Sequence, residues 1–227
     1  MAENRENQYS GQLSQGTGSR EESEGGDSRT AVSGCLEQDS VWLNQKLATD
    51  RNFDVVTRTI EVGGREAALY FIDGFCKDDM LQKLLQYFMD MKPEDMPQDA
   101  SRLLKKGLPY IEVDQEKEWE KITSSVLSGI FVLLVEGYRE AVLIDARSYP
   151  SRGVEEPEKD KVLRGSKDGF VETVVFNTAL IRRRIRDTDL RMEMMSAGKS
   201  SKTDIVLCYM DSRVDQGFLE EIKQKIR

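Results

Sequence analysis

Phe53-Asp54-Val55-Val56-Thr57-Arg58-Thr59-Ile60-Glu61-Val62-Gly63-Gly64-Arg65-Glu66-Ala67-Ala68-Leu69-Tyr70-Phe71-Ile72-Asp73-Gly74 is the stretch that decides the fold. From Phe53 to Val62 the residues alternate enough to predict a strand. Gly63-Gly64 fits a two-residue hairpin turn, because glycine reaches φ > 0 without a Cβ clash. Ala67 to Ile72 returns as an apolar strand that ends at Asp73-Gly74. A helix is predicted next over Lys77 to Met91, with Met80, Leu81, Leu84, Leu85 and Phe88 at helical spacing. Asp78 or Asp79 favours its positive N-terminus, and Pro93 and Pro97 close the unit.

Upstream, Val41-Trp42-Leu43 with Leu47 gives a short helical pattern, and ordered structure is expected from near Ser40. Met1 to Gly34 is rich in Ser, Gly, Glu, Gln and Asn and is expected to be disordered, with too little apolar surface to offset the entropy of ordering. Downstream, Asp99 to Lys106 predicts a short helix and Ile111 to Val113 a strand. Glu116 to Leu127 reads as a helix through Trp119, Ile122 and Val126. A second hairpin runs from Ile130 to Val135, turns at Glu136-Gly137, and returns over Glu140 to Ile144. Gly169 to Arg186 predicts a further helix; Leu190 to Met195 and Asp204 to Met210 predict two strands; Phe218, Leu219, Ile222 and Ile226 mark a last helix. The expected class is α/β (α+β): two small lobes of mixed, hairpin-built sheet with helices packed on them, after a disordered tail. Residues 1–38 form the tail, 39–110 the first lobe and 111–227 the second, with the last strand and helix as candidates to join the first lobe.

Composition excludes several chemistries. The 227 residues contain no histidine, which removes Ser-His-Asp and Cys-His catalysis and every His-ligated metal site. Net charge is −8, so phosphate-neutralising cations are not in excess and a nucleic-acid partner is not expected. Cys35, Cys76 and Cys208 are widely spaced with no CxxC, as for reduced thiols, and Cys76 and Cys208 read as small apolar residues at strand ends. The longest strongly apolar run, Ile130 to Val135, is far shorter than the roughly 18 residues that cross a bilayer as a helix.

Three apolar strands end in aspartate, at Asp73, Asp145 and Asp211. Carboxylates at strand ends can converge on a magnesium ion, but Asp there more often accepts turn and helix-entry N–H bonds. The second reading is preferred, and neither a metal nor a cofactor is expected. Arg164-Gly165-Ser166-Lys167-Asp168-Gly169 lacks the GxxxxGK[ST] spacing of a phosphate loop. Gly165 and Gly169 suit tight turns, Ser166 or Asp168 a helix cap, and Glu172 a capping arrangement in the first turn. Asn177 is a poor helix former among apolar neighbours and needs polar partners, which the preceding loop can supply from its backbone. Arg182, Arg183, Arg184 and Arg186 are the densest basic cluster. Arg182 and Arg186 share a helix face at i,i+4, and Arg183 lies elsewhere. Internal pairing with Glu155, Glu156 or Asp187, or carboxylate recognition across a subunit interface, suits arginine here.

The same region resembles the GerA family, the A-type subunits of spore germinant receptors. Tyr149-Pro150-Ser151-Arg152, Glu156-Pro157, Val162-Leu163-Arg164-Gly165, Asp168-Gly169-Phe170-Val171-Glu172 and Asn177 to Arg186 carry the likeness. Arg152-Gly153-Val154 and Phe176-Asn177-Thr178-Ala179 are similar in wording to a stage V sporulation branch of that family. The resemblance covers roughly Phe53 onward. It implies a non-enzymatic N-terminal domain on the cytoplasmic (spore-core) side of the spore inner membrane, joined to a multi-helix membrane domain. It further implies copies of itself and other germination-complex subunits as partners, with a role in assembly and signal relay of an ion-channel complex. The interface expected from the motif comprises Arg152, Glu156, Pro157, Arg164, Gly165, Asp168, Gly169, Glu172, Asn177, Arg182, Arg183, Arg184 and Arg186. The alternative is a small-molecule binding module with a ligand cleft between two lobes.

Overall fold

The computed structural model describes residues 29–105, 112–149 and 169–226. Its elements are α1 (Leu36–Leu47), β1 (Val55–Val62), β2 (Arg65–Ile72), α2 (Asp78–Met89), α3 (Ala100–Lys105), β3 (Val113–Glu116), α4 (Trp119–Ser128), β4 (Phe131–Val135), β5 (Ala141–Ile144), α5 (Val174–Arg184), β6 (Leu190–Ala197), β7 (Thr203–Met210) and α6 (Gln216–Ile226). The mixed α/β class is as expected.

The opening hairpin forms as its residues dictate. Val62 faces Arg65 across the turn, and Gly63 and Gly64 sit at φ +55° and +73°, the left-handed values that a type I′ turn demands. Five strands make one antiparallel sheet in the order β1-β2-β4-β5-β3. Both faces of this sheet are covered, which is why β2 and β4 read as unbroken apolar runs. On one face Ala68, Tyr70, Ile72, Val132 and Leu134 meet Leu43 and Leu47 of α1 and Ile122 and Val126 of α4. On the other, Leu69, Phe71, Phe131 and Leu133 meet Leu84, Leu85 and Phe88 of α2 and Leu103 of α3. The result is three layers, helix–sheet–helix.

A second, two-stranded sheet pairs β6 with β7, from Leu190 opposite Met210 to Ala197 opposite Thr203. α6 leans on it through Lys223, whose Nζ lies 2.7 Å from Glu193 Oε2. A short loop before β1 fastens this unit to the large sheet. Arg51 donates to both oxygens of Asp211 at 2.9 and 2.8 Å and to Tyr209 Oη at 2.9 Å. Asn52 spans the joint: its Nδ2 donates to Leu47 O and its Oδ1 accepts from Met192 N, both at 2.8 Å.

Four expectations change. Order begins before Ser40: α1 starts at Leu36, Ala31 bridges Glu118, and buried Asp39 accepts the Ser33 and Gly34 amides. Val32 and Leu36 enter the core and hold this segment, so only residues 1–28 of the expected tail lie outside the described residues. β3, β4 and β5, expected in a second lobe from residue 111, hydrogen-bond into the sheet of β1 and β2; the separate sheet is β6–β7. α5 is shorter than the predicted span of 169–186, because Thr173 and Ile185 are both extended. Cys208 lies within β7 opposite Met192, not at a strand end.

Candidate functional site

β5 leaves the large sheet at Ile144 and the chain reaches Tyr149, whose side chain organises the basic end of α5. Tyr149 Oη donates to Ser128 O at 2.8 Å, and its ring meets Phe75 edge-on at 5.0 Å between centroids. Three arginines converge on it. The Arg183 guanidinium lies 4.7 Å above the ring, a cation–π distance. Arg147 Nη1 and Arg186 Nη2 donate to the hydroxyl at 3.2 and 3.3 Å. Arg147 is also held by Asp145 through its Nε, at 2.7 Å, and through Nη2. That hydrogen bonding keeps the Asp145 carboxyl below the ordinary carboxylate range, against a smaller opposing effect of burial.

The predicted motif residues divide. Arg183, Arg184 and Arg186 are exposed at the C-terminal end of α5, where cations favour the helix dipole. Arg186 lies beyond the helix and so shares no face with Arg182. Arg182 points inward and is fully buried, which removes it from any surface. Its Nε and Nη2 meet Asp54, at 2.7 and 3.2 Å, and its Nη1 donates to the Asp187 carbonyl. The carboxylate partner is therefore Asp54, and Asp187 contributes its backbone. Asn177 finds its expected partners in the segment before the helix: Val171 N donates to Oδ1 and Nδ2 donates to Val171 O, both at 2.7 Å. Gly169 and Glu172 are exposed, and the helix N-cap is Thr173 without a side-chain cap bond. Arg152, Glu156, Pro157, Arg164, Gly165 and Asp168 lie outside the described residues, as do Glu155 and Ser166. Arg147, Ser128, Phe75 and Asp54 were missed from sequence; only Tyr149, in the motif, signalled the hub.

Phe170, before α5, is 68% exposed, and Ile185, 40% exposed, adds an apolar side chain to this surface. Beside it opens a cleft of about 660 Å³ between α1, the start of α4 and the turn after α5, with Arg186 on the common border. The strand-end aspartates are engaged separately. Asp145 holds Arg147, Asp211 holds Arg51 and Arg191, and Asp73, half-buried, is pushed up by burial. Among the described residues no group of three metal-ligating side chains is assembled, and no helix is long and apolar enough to cross a membrane.

Residues 42–227 match the family described as Bacillus/Clostridium GerA spore germination protein. The chain is 36% identical over 187 residues to stage V sporulation protein AF of Bacillus subtilis (strain 168), covering 82% of this chain and 38% of that protein. It is 30% identical over 186 residues to the uncharacterized membrane protein YfkQ of the same organism, covering 81% of this chain and 36% of that protein. The chain thus spans less than two fifths of the length of these relatives. Its fold is that of the N-terminal domain of the A subunit of the Bacillus megaterium spore germinant receptor GerK3, in a crystal structure with a TM-score of 0.67. That likeness covers 87% of this chain and 72% of that one at 22% identity.

Proposed function

Because this chain belongs to the GerA spore germination protein family, we propose that it serves as the soluble N-terminal domain of a germination membrane protein, assembling with neighbouring subunits and relaying their signal to a membrane domain. The family gives it a germination-related role. The finer reading is supported above all by the surface around Tyr149. Arginine and aromatic side chains are the types enriched at protein interfaces, and here Arg183, Arg184 and Arg186 are exposed beside Ile185, with Arg183 stacked on the Tyr149 ring. This surface is rigidly backed: Tyr149 is pinned to Ser128 and Phe75, and α5 is anchored inside by Arg182. A rigid patch loses little side-chain freedom on docking, so more of its contact energy goes into binding. Partners would be copies of this chain and other subunits of a receptor or channel complex, with this domain on the cytoplasmic side of the spore inner membrane. Relay requires contacts that differ between two states of the assembly.

The test is Arg183→Glu and Arg184→Glu in the full-length parent protein. Co-purification with its complex and germination rate should both fall, while the isolated domain keeps its melting temperature. Normal assembly and germination in both variants would sink the reading. The cleft beside Arg186 favours a second reading, a ligand-binding module.

A further inference from the structure

β1 is an outer strand of the large sheet, and one of its two edges is open. Asp54 accepts the amide of Asp73, opposite it, at 2.8 Å. In the antiparallel register that runs on from there, even-numbered residues of β1 bond to β2, and odd-numbered ones turn their N–H and C=O groups outward. Just before the strand, Phe53 already bonds outward, donating to Met192 O of β6 at 3.1 Å. Beyond it Thr57, Thr59 and Glu61 are exposed and have no backbone partner among the described residues. The unbroken register with β2 leaves no bulge to twist this edge away, and no proline blocks it. Such an edge is a template for one more strand.

What that strand would meet is set by α2. A groove of about 660 Å³ lies between β1 and α2, with Arg58 on the strand and Leu81, Leu85 and Met89 along the helix. Those three recur every fourth residue, about 6 Å apart, and Met89 is 61% exposed. Alternate side chains of a strand stand about 6.7 Å apart, so an added strand can lay every second residue against them. Its other residues fall beside Thr57, Thr59 and Glu61, in water. Asp78 and Asp90 line the groove at the two ends of α2. The helix has no basic residue in its last turn, so Asp90 adds to the negative end of its dipole, and Arg58 offsets only one of the two acids. Two copies joined by this edge would run antiparallel about a two-fold axis. That would bring the Asp78 end of one α2 toward the Asp90 end of the other, acid against acid, which argues against a second copy. We propose that the open edge of β1 takes up an extended segment of a partner protein, one with apolar side chains at every second position and a cation at each end. This surface is separate from the arginine surface above and does not depend on it.

The probe is the end-blocked peptide KTVTVTK, which spans about 20 Å when extended and so matches the roughly 18 Å from Asp78 to Asp90. In proton–nitrogen spectra it should move the amide signals of Thr57, Thr59 and Glu61 to saturation. ETVTVTE should bind at least about tenfold more weakly, and Asp90→Lys should narrow that gap. Strand pairing uses only alternate amides of the peptide. N-methylation of its two valines and N-methylation of its last two threonines should therefore differ by at least about tenfold, one binding like the parent. Thr59→Pro should abolish binding, since it removes an outward donor and leaves the β2 ladder whole. If that variant fails to fold, the methylated pair still decides. Arg183→Glu should leave every titration unchanged, so failure here leaves the arginine surface standing. Unmoved signals, equal binding of ETVTVTE, or equal binding of the two methylated peptides would each overturn the proposal. A dimer of the parent chain that Thr59→Pro dissolves would give the edge to a second copy and overturn it too.

Discussion

Arg182 and Asp54, 128 residues apart in the chain, form a two-pronged ion pair with side chains 0% and 1% exposed. It joins the last turn of α5 to the loop that enters β1. Two neighbours of Asp54, Arg51 and Asn52, hold the β6–β7 unit through Asp211 and Met192. Four consecutive residues, Arg51 to Asp54, thus bring together α5, the small sheet and the large one. The desolvation cost of a buried ion pair is offset only when geometry is good and the remaining donors are satisfied. Here the third guanidinium nitrogen reaches the Asp187 carbonyl at 3.3 Å.

Arg182→Met should destabilise the domain by about 3–5 kcal/mol, because it strands the Asp54 carboxylate in the core. Asp54→Leu should cost a similar amount by stranding the cation. The double variant should lose much less than the sum of the two. Urea denaturation of the four proteins of this cycle measures the coupling. Additive losses would contradict a direct pair.

Gly129 closes α4 at φ +93°, and a Cβ there would lie 2.3 Å from Phe75 Cδ2. Phe75 is itself 1% exposed and packed edge-on against Tyr149, so it has little room to retreat. Gly129→Ala should therefore cost about 1–3 kcal/mol from backbone strain alone, with the ring clash added. The melting temperature reads this directly. Gly137→Ala is the control: its nearest atom is the flexible Arg65 Nη1 at 3.6 Å, so only the strain of φ +84° applies.

Acid should loosen the small sheet. Hydrogen bonds from Arg51 hold the Asp211 carboxyl below its ordinary range, outweighing burial, and the charge of Arg191 helps. A carboxyl with a depressed folded pKa adds stability above its unfolded value of about 3.9 and loses it as pH falls through the folded value. Melting temperature should thus fall below about pH 4, and Asp211→Asn should flatten part of that fall. An identical pH profile for the variant would refute the assignment.

Base should act on the tyrosines. Burial pushes Tyr138 up to about 12, against the opposing charge of Arg65, and its hydroxyl donates to Pro97 O at 2.6 Å. Tyr70 is likewise pushed up to about 12, mainly by burial. With unfolded values near about 10, their contribution is whole below that pH and lost as pH rises through the folded values. Stability should decline from about pH 10 to about pH 12, and Tyr138→Phe should lessen the decline. The same variant should cost about 1 kcal/mol at neutral pH, because the Pro97 carbonyl loses its donor. Phenolate absorbance followed alongside the melt checks both statements.

Much of the fold was legible. Gly63-Gly64 and Glu136-Gly137 announced their turns, and apolar spacing announced α2, α4 and α6, because such signals depend on neighbours a few residues away. The ends of α5 were not, since Thr173 and Ile185 are extended although neither is a residue that breaks a helix by itself. Of the candidate interface residues, Asn177 found the backbone partners expected of it, Arg183, Arg184 and Arg186 lie exposed, and Arg182 turned inward. Nothing local separates it from its neighbours. The sheet order was equally hidden, because β2 joins β4 across more than sixty intervening residues, Ala68 meeting Leu134.

The chain by itself determined the kinds of element, the turns between them and the absence of histidine chemistry, through backbone preference and side-chain identity. Only the tertiary structure decided which arginine is core and which is surface. A guanidinium enters a low-dielectric interior only where a carboxylate waits for it, and that carboxylate, Asp54, is supplied by a loop far away in the chain.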